Sequence, residues 1–259
     1  MVTSTMHANP WVRRYHRTSQ AVSRLVCFPH AGGSASKYFA LSAALSPQVD
    51  VIAIQYPGRQ ERRGEPFVDD IGLLADRIHE ALRDEDELPL TFFGHSMGAV
   101  VAFEVARRFE AEGRELARLF ASGRRAPSSR GDETVHLRDD DGILAQLRLL
   151  SGTDSAVLDF KGMTSLFLPV LRADLRAIET YRGSADAVLR CPISALVGDE
   201  DPLTSVEEAS MWVRHTTGPF GVRAFPGGHF YLDDQAAEVV GVLEHHFDRT
   251  RGAEGKTTA

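Results

Sequence analysis

Four side chains of this sequence have the chemistry that nucleophilic catalysis needs, and each follows a short apolar run. In chain order they are Ser96, the pair Asp199 and Asp201, and His229. A serine hydroxyl is a weak nucleophile at neutral pH, so it needs a base such as histidine within hydrogen-bond reach. A carboxylate can hold that imidazole in the right tautomer and stabilise its charged form. The order Ser, Asp, His therefore predicts a nucleophilic serine with His229 as its base.

The serine lies in a tight turn between a predicted strand and a predicted helix. An apolar run over 90–93 precedes the turn, an apolar run over 99–106 follows it, and the turn itself reads Gly94-His95-Ser96-Met97-Gly98. Because glycine has no Cβ, the backbone can close up on both sides and hold the serine in a strained conformation. This strand, G-x-S-x-G, helix context predicts an exposed hydroxyl, with the Met97 N–H directed to the same space.

The acid and the oxyanion hole need further residues. Asp199 and Asp201 share one turn, and either could simply cap that turn or the next helix; we favour Asp201 as the partner of the histidine. An oxyanion hole needs two backbone N–H groups aimed at the developing negative charge. Met97 supplies one, and we expect Ala31, in the loop His30-Ala31-Gly32-Gly33, to supply the other. The two glycines of that loop also suit a tight turn, and both interpretations are compatible.

Strands and amphipathic helices alternate along most of the chain, which is typical of a parallel sheet covered on both faces. The order of the catalytic residues is that of α/β-hydrolases, whose active sites lie at the carboxyl ends of the strands. We therefore predict an α/β-hydrolase fold with a mostly parallel central sheet. The predicted strands span 25–28, 49–54, 90–93, 116–122, 193–197 and 222–225.

The 259 residues are expected to form a single domain. Residues 1–22 are predicted to be a loose N-terminal arm, the last helix to span 236–247, and residues 249–259 to be a disordered tail. Between about 126 and 189 the alternation stops and only helical patterns occur. This helical insertion could be a surface decoration, but its surplus of apolar residues favours a lid over the site.

Composition excludes several classes of function. A formal net charge of −7 argues against a nucleic-acid binder. The sequence shows no membrane span and no signal peptide. Cys27 and Cys191 fall at predicted buried strands, so we expect free thiols, a reducing cytoplasm and no disulfide. We expect no metal ion and no cofactor of the protein's own.

Basic residues form two local groups. Arg59, Arg62 and Arg63 could be a solvated loop, or a rim that meets an anionic partner or a phosphate. Arg124 and Arg125 allow the same two interpretations.

Five motifs in order resemble the type II thioesterases that accompany modular polyketide synthases and nonribosomal peptide synthetases. The resemblance covers about residues 25–247, and the five together are much more specific than the serine pentapeptide alone. They are Phe28-Pro29-His30-Ala31-Gly32-Gly33, Tyr56-Pro57-Gly58-Arg59, Gly94-His95-Ser96-Met97-Gly98-Ala99, Gly198-Asp199-Glu200-Asp201-Pro202 and Gly228-His229-Phe230.

The resemblance implies hydrolysis of aberrant or stalled acyl groups from the phosphopantetheine arm of acyl or peptidyl carrier proteins. It also implies that the second aspartate of its motif, Asp201, is the catalytic acid and that the insertion is a lid. Carrier proteins of this kind are typically acidic, which favours the interpretation of the rim at 59–63 as a docking surface. We expect a monomer whose partners are carrier domains of a synthase.

Two other classes of function stay open. The chain could be another serine hydrolase of the same fold, such as an oxyester esterase, a lipase or a cyclising thioesterase. It could also be a catalytically silent binding protein, although the complete set of serine, aspartate and histidine argues against that.

Overall fold

The computed structural model describes residues 9–85, 88–129, 131, 133–151 and 161–254. Within those residues the strands form one seven-stranded sheet in the order β1-β3-β2-β4-β5-β6-β7. The β1 strand runs antiparallel to β3, and all other neighbours are parallel. The strands are β1 (Val12–Arg13), β2 (Ser23–Phe28), β3 (Val49–Ile54), β4 (Leu90–His95), β5 (Arg118–Ser122), β6 (Ile193–Gly198) and β7 (Phe220–Phe225).

Helices cover both faces of this sheet. They are α1 (Phe39–Leu45), α2 (Ile71–Leu82), α3 (Met97–Ala111), α4 (Asp140–Ser151), α5 (Lys161–Thr180), α6 (Val206–Ser210), α7 (Tyr231–Asp234) and α8 (Ala236–Glu254), with short 3₁₀ turns at Ala35–Tyr38, Gln60–Arg62, Val135–Leu137 and Met211–His215. Apolar residues of α2 and α3 pack on one face and those of α1 and α8 on the other. Every residue of β2, β3 and β4 is buried, as a sheet covered on both faces requires.

Local capping fixes where two of the helices begin. The side chain of Asp70 accepts the Leu73 N–H at 2.7 Å at the start of α2. Ser205 and Glu208 form a reciprocal capping box at the start of α6, as their spacing predicts. These caps hold the helices that follow β3 and β6 at defined positions on the sheet.

The helical insertion lies between β5 and β6 and contributes α4 and α5. It has a small core of its own around Ile143, Leu168 and Leu171, which the partly buried Ala31 contacts. The insertion is thus packed against the loop that follows β2, at the carboxyl edge of the sheet.

Both ends of the chain differ from the sequence expectations. Residues 12–13 of the predicted N-terminal arm form β1, which pairs with the edge of β3, so this part of the arm belongs to the sheet and is not loose. Residues 1–8 lie outside the described residues. A two-residue strand is too short to leave an alternating pattern in the sequence. The last helix, α8, continues to Glu254 instead of ending at Phe247, and residues 255–259 lie outside the described residues.

The expectation of free, buried cysteines holds. Cys27 and Cys191 are free and buried. No helix in the described part of the chain is long and apolar enough to cross a membrane.

Candidate active site

Ser96 occupies the turn between β4 and α3 in a backbone conformation that non-glycine residues rarely adopt. Its φ is 55° and its ψ is −120°, and its N–H donates to the Ser122 carbonyl at 2.8 Å. A Cβ at position 94 would lie 2.2 Å from the Gly98 carbonyl oxygen, and one at 98 would lie 2.1 Å from the Phe28 carbonyl oxygen. Only glycine fits at either flank, because the strand, the turn and the β2 end approach so closely.

His229 follows β7 and lies between the serine and a carboxylate. Its Nε2 is 3.0 Å from Ser96 Oγ, and its Nδ1 is 2.8 Å from Asp201 Oδ2. The histidine is 2% exposed, and the second carboxylate oxygen of Asp201 accepts the Leu203 N–H at 2.8 Å. This is the geometry of a serine, its base and the acid that orients the base.

Asp199 takes a different position in the same turn. Its carboxylate accepts the Gly227 N–H at 2.9 Å, and the residue is exposed. It therefore braces the loop that leads to His229 but does not contact the imidazole. The structure brings Asp201, and not Asp199, to the histidine.

Two backbone N–H groups, one in the serine turn and one in the loop after β2, are candidates for the oxyanion hole. The Gly33 N–H donates to the His30 carbonyl at 2.9 Å, and the Gly32 N–H donates to the Asp174 carboxylate at 2.7 Å. Among the hydrogen bonds of the described residues, none occupies the Ala31 N–H. Met97 is the first residue of α3, so its N–H is not used by the helical hydrogen-bond ladder. Ala31 and Ser96 line the same cavity.

The predicted basic rim is not a rim. Arg59 is buried and forms a bidentate ion pair with Asp174 of α5, at 2.8 and 2.9 Å. Arg62 is also buried, where it donates to the Gln55 carbonyl at 2.7 Å and stacks on the Trp11 ring. Of the three arginines only Arg63 is exposed. The expectation of a docking surface at 59–63 is therefore wrong for two of its residues, because their charges are neutralised inside the fold.

Arg124 and Arg125 follow β5 at the start of the insertion. Arg125 is buried and ion-paired with Glu133. Arg124 is half-buried and lines the cavity that contains Ser96. Burial, and then the neighbouring Arg125, lower the pKa of Arg124 to about 10. Arg125 thus belongs to the interior and Arg124 to the wall of the cavity, and neither lies in a solvated loop.

Two further histidines surround His229, and sequence reasoning gave neither a role. The His95 ring lies 5.1 Å from the His229 ring, and its Nδ1 is 2.9 Å from Ser122 Oγ, which in turn is 2.7 Å from the Tyr231 hydroxyl. Burial, followed by the charge of His229, holds the pKa of His95 well below its usual value. Burial also lowers the pKa of His30 to about 3, with Lys37 and His229 as smaller causes. Both rings are therefore neutral at physiological pH, and of the three rings His229 is the one whose Nε2 faces the serine hydroxyl.

An apolar cavity extends from the serine under the insertion. It contains about 850 Å³ of empty space, part of it at the opening to solvent. Its walls combine Ser96 and His229 with apolar side chains of both insertion helices, Leu147, Leu150, Leu171, Leu175 and Ile178. Charged side chains, among them Arg124, Glu133, Arg138 and Glu179, also line it. The apolar part of the wall is suited to an aliphatic chain whose reactive carbon lies at the serine.

Comparison with known proteins agrees with this geometry. Residues 23–248 match the sequence model of the family described as "Thioesterase domain". The "Probable cadicidin biosynthesis thioesterase" of Streptomyces griseus is 53% identical over 232 residues, which is 90% of this chain. The chain spans 64% of the length of that relative.

Two solved structures are similar over nearly their whole length. The "type II thioesterase BorB from the borrelidin biosynthetic cluster" is 45% identical with a TM-score of 0.87, covering 93% of this chain and 99% of BorB. YbtT, described as a "Type II thioesterase from Yersiniabactin NRPS/PKS biosynthetic pathway", is 30% identical with a TM-score of 0.83. The similarity covers 92% of this chain and 98% of the YbtT chain.

Proposed function

Because this chain belongs to the thioesterase family, a family of α/β-hydrolase fold, we propose that it edits carrier proteins of a polyketide or nonribosomal peptide synthase. Its substrate is an aberrant or stalled acyl group held as a thioester on the phosphopantetheine arm, and its product is the free acid. The single observation that carries the chemistry is the chain of contacts from Ser96 through His229 to Asp201, at 3.0 and 2.8 Å. The names of the similar thioesterases support the setting.

Acylation begins when Ser96 Oγ attacks the thioester carbonyl while His229 Nε2 accepts its proton. Asp201 stays ionised, holds Nδ1 protonated and stabilises the imidazolium. The Ala31 and Met97 N–H groups receive the oxyanion of the tetrahedral intermediate. When this intermediate collapses, the C–S bond breaks and His229 returns its proton to the pantetheine sulfur, which leaves as the thiol. Ser96 now carries the acyl group as an oxyester.

Deacylation repeats these steps with water as the nucleophile. His229 takes a proton from the water, whose oxygen attacks the acyl carbon, and the same two N–H groups stabilise the new oxyanion. The C–O bond to the serine then breaks, and the proton on His229 restores the hydroxyl. The carboxylic acid leaves, and the carrier thiol is available again.

The apolar part of the cavity supports acyl groups of aliphatic character, because its leucine and isoleucine side chains from α4 and α5 offer dispersion contacts. The carrier protein remains outside, with only its thin arm reaching the serine. The protein needs no cofactor for this reaction, since the phosphopantetheine belongs to the partner.

Single-turnover hydrolysis tests the proposal. A short and a medium acyl group are each presented on a carrier protein and on free pantetheine, to the wild type and to Ser96→Ala. We expect release by the wild type only, and faster release from the carrier. Matched oxyesters of equal acyl length are the control. Faster cleavage of the oxyesters, or no release from either thioester, contradicts the proposal and indicates an esterase.

A further inference from the structure

A carboxylate from the helical insertion is built into the loop that carries Ala31. Asp174 lies on α5 and is 2% exposed. Its Oδ2 accepts the Gly32 N–H at 2.7 Å, so that two residues 142 positions apart in the sequence are joined by one hydrogen bond. The partner of this contact is a backbone group, and the insertion therefore constrains the course of the loop itself.

Arg59 fixes the same carboxylate from the other side. Its Nη1 donates to Asp174 Oδ2 at 2.8 Å and its Nη2 donates to Oδ1 at 2.9 Å. The same Nη1 also donates to the Gly33 carbonyl at 2.9 Å, and Nε donates to the Pro57 carbonyl at 3.3 Å. Bidentate bonds between charged groups are the strongest and most directional hydrogen bonds available to side chains. The pair therefore fixes the N–H of Gly32 and the C=O of Gly33 at once.

Apolar packing adds a second contact between α5 and this loop. Gly32 has a φ of +75°, and a Cβ there would lie 2.8 Å from the Phe167 ring and 3.3 Å from Leu171. Both side chains lie on α5, where Leu171 is one turn and Phe167 two turns before Asp174. Because Phe167 and Leu171 pack directly against Gly32, they also restrict movement of the peptide between Ala31 and Gly32 toward α5.

These contacts decide which N–H groups of the loop can serve the reaction. The Gly32 N–H is bound to Asp174, and the Gly33 N–H is bound to the His30 carbonyl. The Ala31 N–H is left for the substrate oxygen. It shares a planar peptide with the His30 carbonyl, which the Gly33 N–H holds across the turn, so the positions of Gly32 and Gly33 set its direction. An oxyanion hole stabilises charge only when its donors are already oriented.

We propose that Asp174 is a positioning residue of the oxyanion hole, which acts through Gly32 on the direction of the Ala31 N–H. The helical insertion is then a structural part of the catalytic apparatus as well as a cover for the acyl chain. This inference rests on the proposed function, because it assigns the oxyanion hole to Ala31 and Met97.

The variant Asp174→Asn tests the role with little change of volume. It removes the charge that holds Arg59 and loosens the loop. We expect kcat for a soluble acyl thioester to fall about 10- to 100-fold, less than the loss of a whole oxyanion donor. We expect KM to change less than threefold, and the pH profile of kcat/KM to keep its midpoint because His229 keeps both of its contacts.

The matched control is Asp69→Asn. Asp69 forms an exposed ion pair with Arg176 of the same helix α5, at 2.9 Å, but does not contact the loop. We expect wild-type kcat from this variant. An equal fall in both variants would mean that any loss of tethering on α5 has the same effect, and would overturn the role of Asp174. Wild-type kcat in a folded Asp174→Asn protein would overturn it too.

A charge-free pair keeps the test valid when the single variant does not fold. Arg59→Gln combined with Asp174→Asn buries neither charge alone, which is the costly situation in the single variants. We expect the double variant to be more stable than either single variant while its kcat stays below that of the wild type. Full kcat in the double variant would overturn the proposal.

Labelling by a fluorophosphonate separates this inference from the proposed function. The reagent reacts at Ser96 and its phosphoryl oxygen uses the same oxyanion hole, but no thioester is needed. Slower labelling of Asp174→Asn than of Asp69→Asn is expected even if the wild type cleaves no thioester. Equal labelling rates would overturn the role of Asp174, whatever the natural substrate is.

Discussion

The Oδ2 atom of Asp201 lies 2.8 Å from Nδ1 of His229, whereas Asp199, two residues earlier, is bound to the Gly227 N–H. The second oxygen of Asp201 is engaged by the Leu203 N–H, so that the carboxylate is oriented from both sides. The turn after β6 thus supplies two aspartates with different tasks, one on the imidazole and one on the loop that carries it.

The first prediction concerns the different tasks of Asp201 and Asp199. Asp201→Asn replaces the acceptor of the Nδ1 proton with a group that favours the wrong tautomer of His229, so we expect kcat to fall roughly 10³-fold or more. Asp199→Asn keeps an acceptor for the Gly227 N–H, and we expect its kcat to stay within about threefold of the wild type. Steady-state hydrolysis of a soluble acyl thioester measures both. Equal small losses would contradict the assignment of the acid.

Much of the fold could be predicted because burial patterns are local. The β3 strand has the predicted bounds at Val49–Ile54, because a buried apolar run leaves a clear pattern in the sequence. The short β1 strand leaves none. The extension of α8 beyond Phe247 escaped prediction because its last residues are polar, and polar residues carry no helical period.

The candidate site could be predicted where its chemistry is carried by the type of residue, and not where it depends on a partner far along the chain. Ser96, Asp201 and His229 each follow a strand that ends at the same edge. Arg59 looked like a surface charge, because its partner Asp174 is 115 residues away. One signal was present: Asp174 interrupts the apolar positions 171, 175 and 178 on one face of α5, where a lone carboxylate needs a buried partner.

The second prediction replaces the docking interpretation of the arginines. Arg62→Gln removes the stacking on Trp11 and the bonds to Gln55 and Glu65 at 2.6 to 2.9 Å. We expect the free energy of unfolding to fall by about 2 kcal/mol, as measured by urea denaturation. The exposed neighbour gives the control, since Arg63→Gln is expected to change stability by less than about 0.5 kcal/mol.

The same two variants also test docking directly. We expect the ratio of KM for carrier-bound and soluble thioester to be unchanged in Arg62→Gln, because the Arg62 charge is buried and paired with Glu65. For Arg63→Gln we expect a change of less than about twofold, since a single exposed charge contributes little to binding. A rise in KM for the carrier-bound substrate alone would restore the docking interpretation, and with Arg63→Gln it would place the contact at that residue.

A third prediction addresses the acyl cavity. Leu175 lines the cavity from α5, so Leu175→Trp is expected to shorten the space available to the acyl chain. We expect kcat/KM for a medium acyl thioester to fall about tenfold relative to a short one, since one methylene in an apolar pocket changes specificity by about that factor. Leu166→Trp, at an exposed position of the same helix, is the control. Equal losses for both chain lengths would show that the chain does not extend along α5.

The fourth prediction concerns stability against pH and uses a histidine far from the serine. His246 packs against the Phe120 ring, with Nε2 3.0 Å from Thr91 Oγ1, and burial together with Arg118 lowers its pKa to about 4. The unfolded chain takes up this proton near pH 6.5, so between pH 6.5 and 4 it binds more protons than the folded protein. Stability from this group is therefore complete above pH 6.5 and is lost as the pH falls toward 4. Urea denaturation at pH 7, 5.5 and 4.5 should show a shallower loss of stability for His246→Gln than for the wild type. The exposed neighbour serves as control, because His245→Gln is expected to keep the wild-type slope. A slope for His246→Gln as steep as that of His245→Gln would show that this ring does not contribute to the acid sensitivity of the fold.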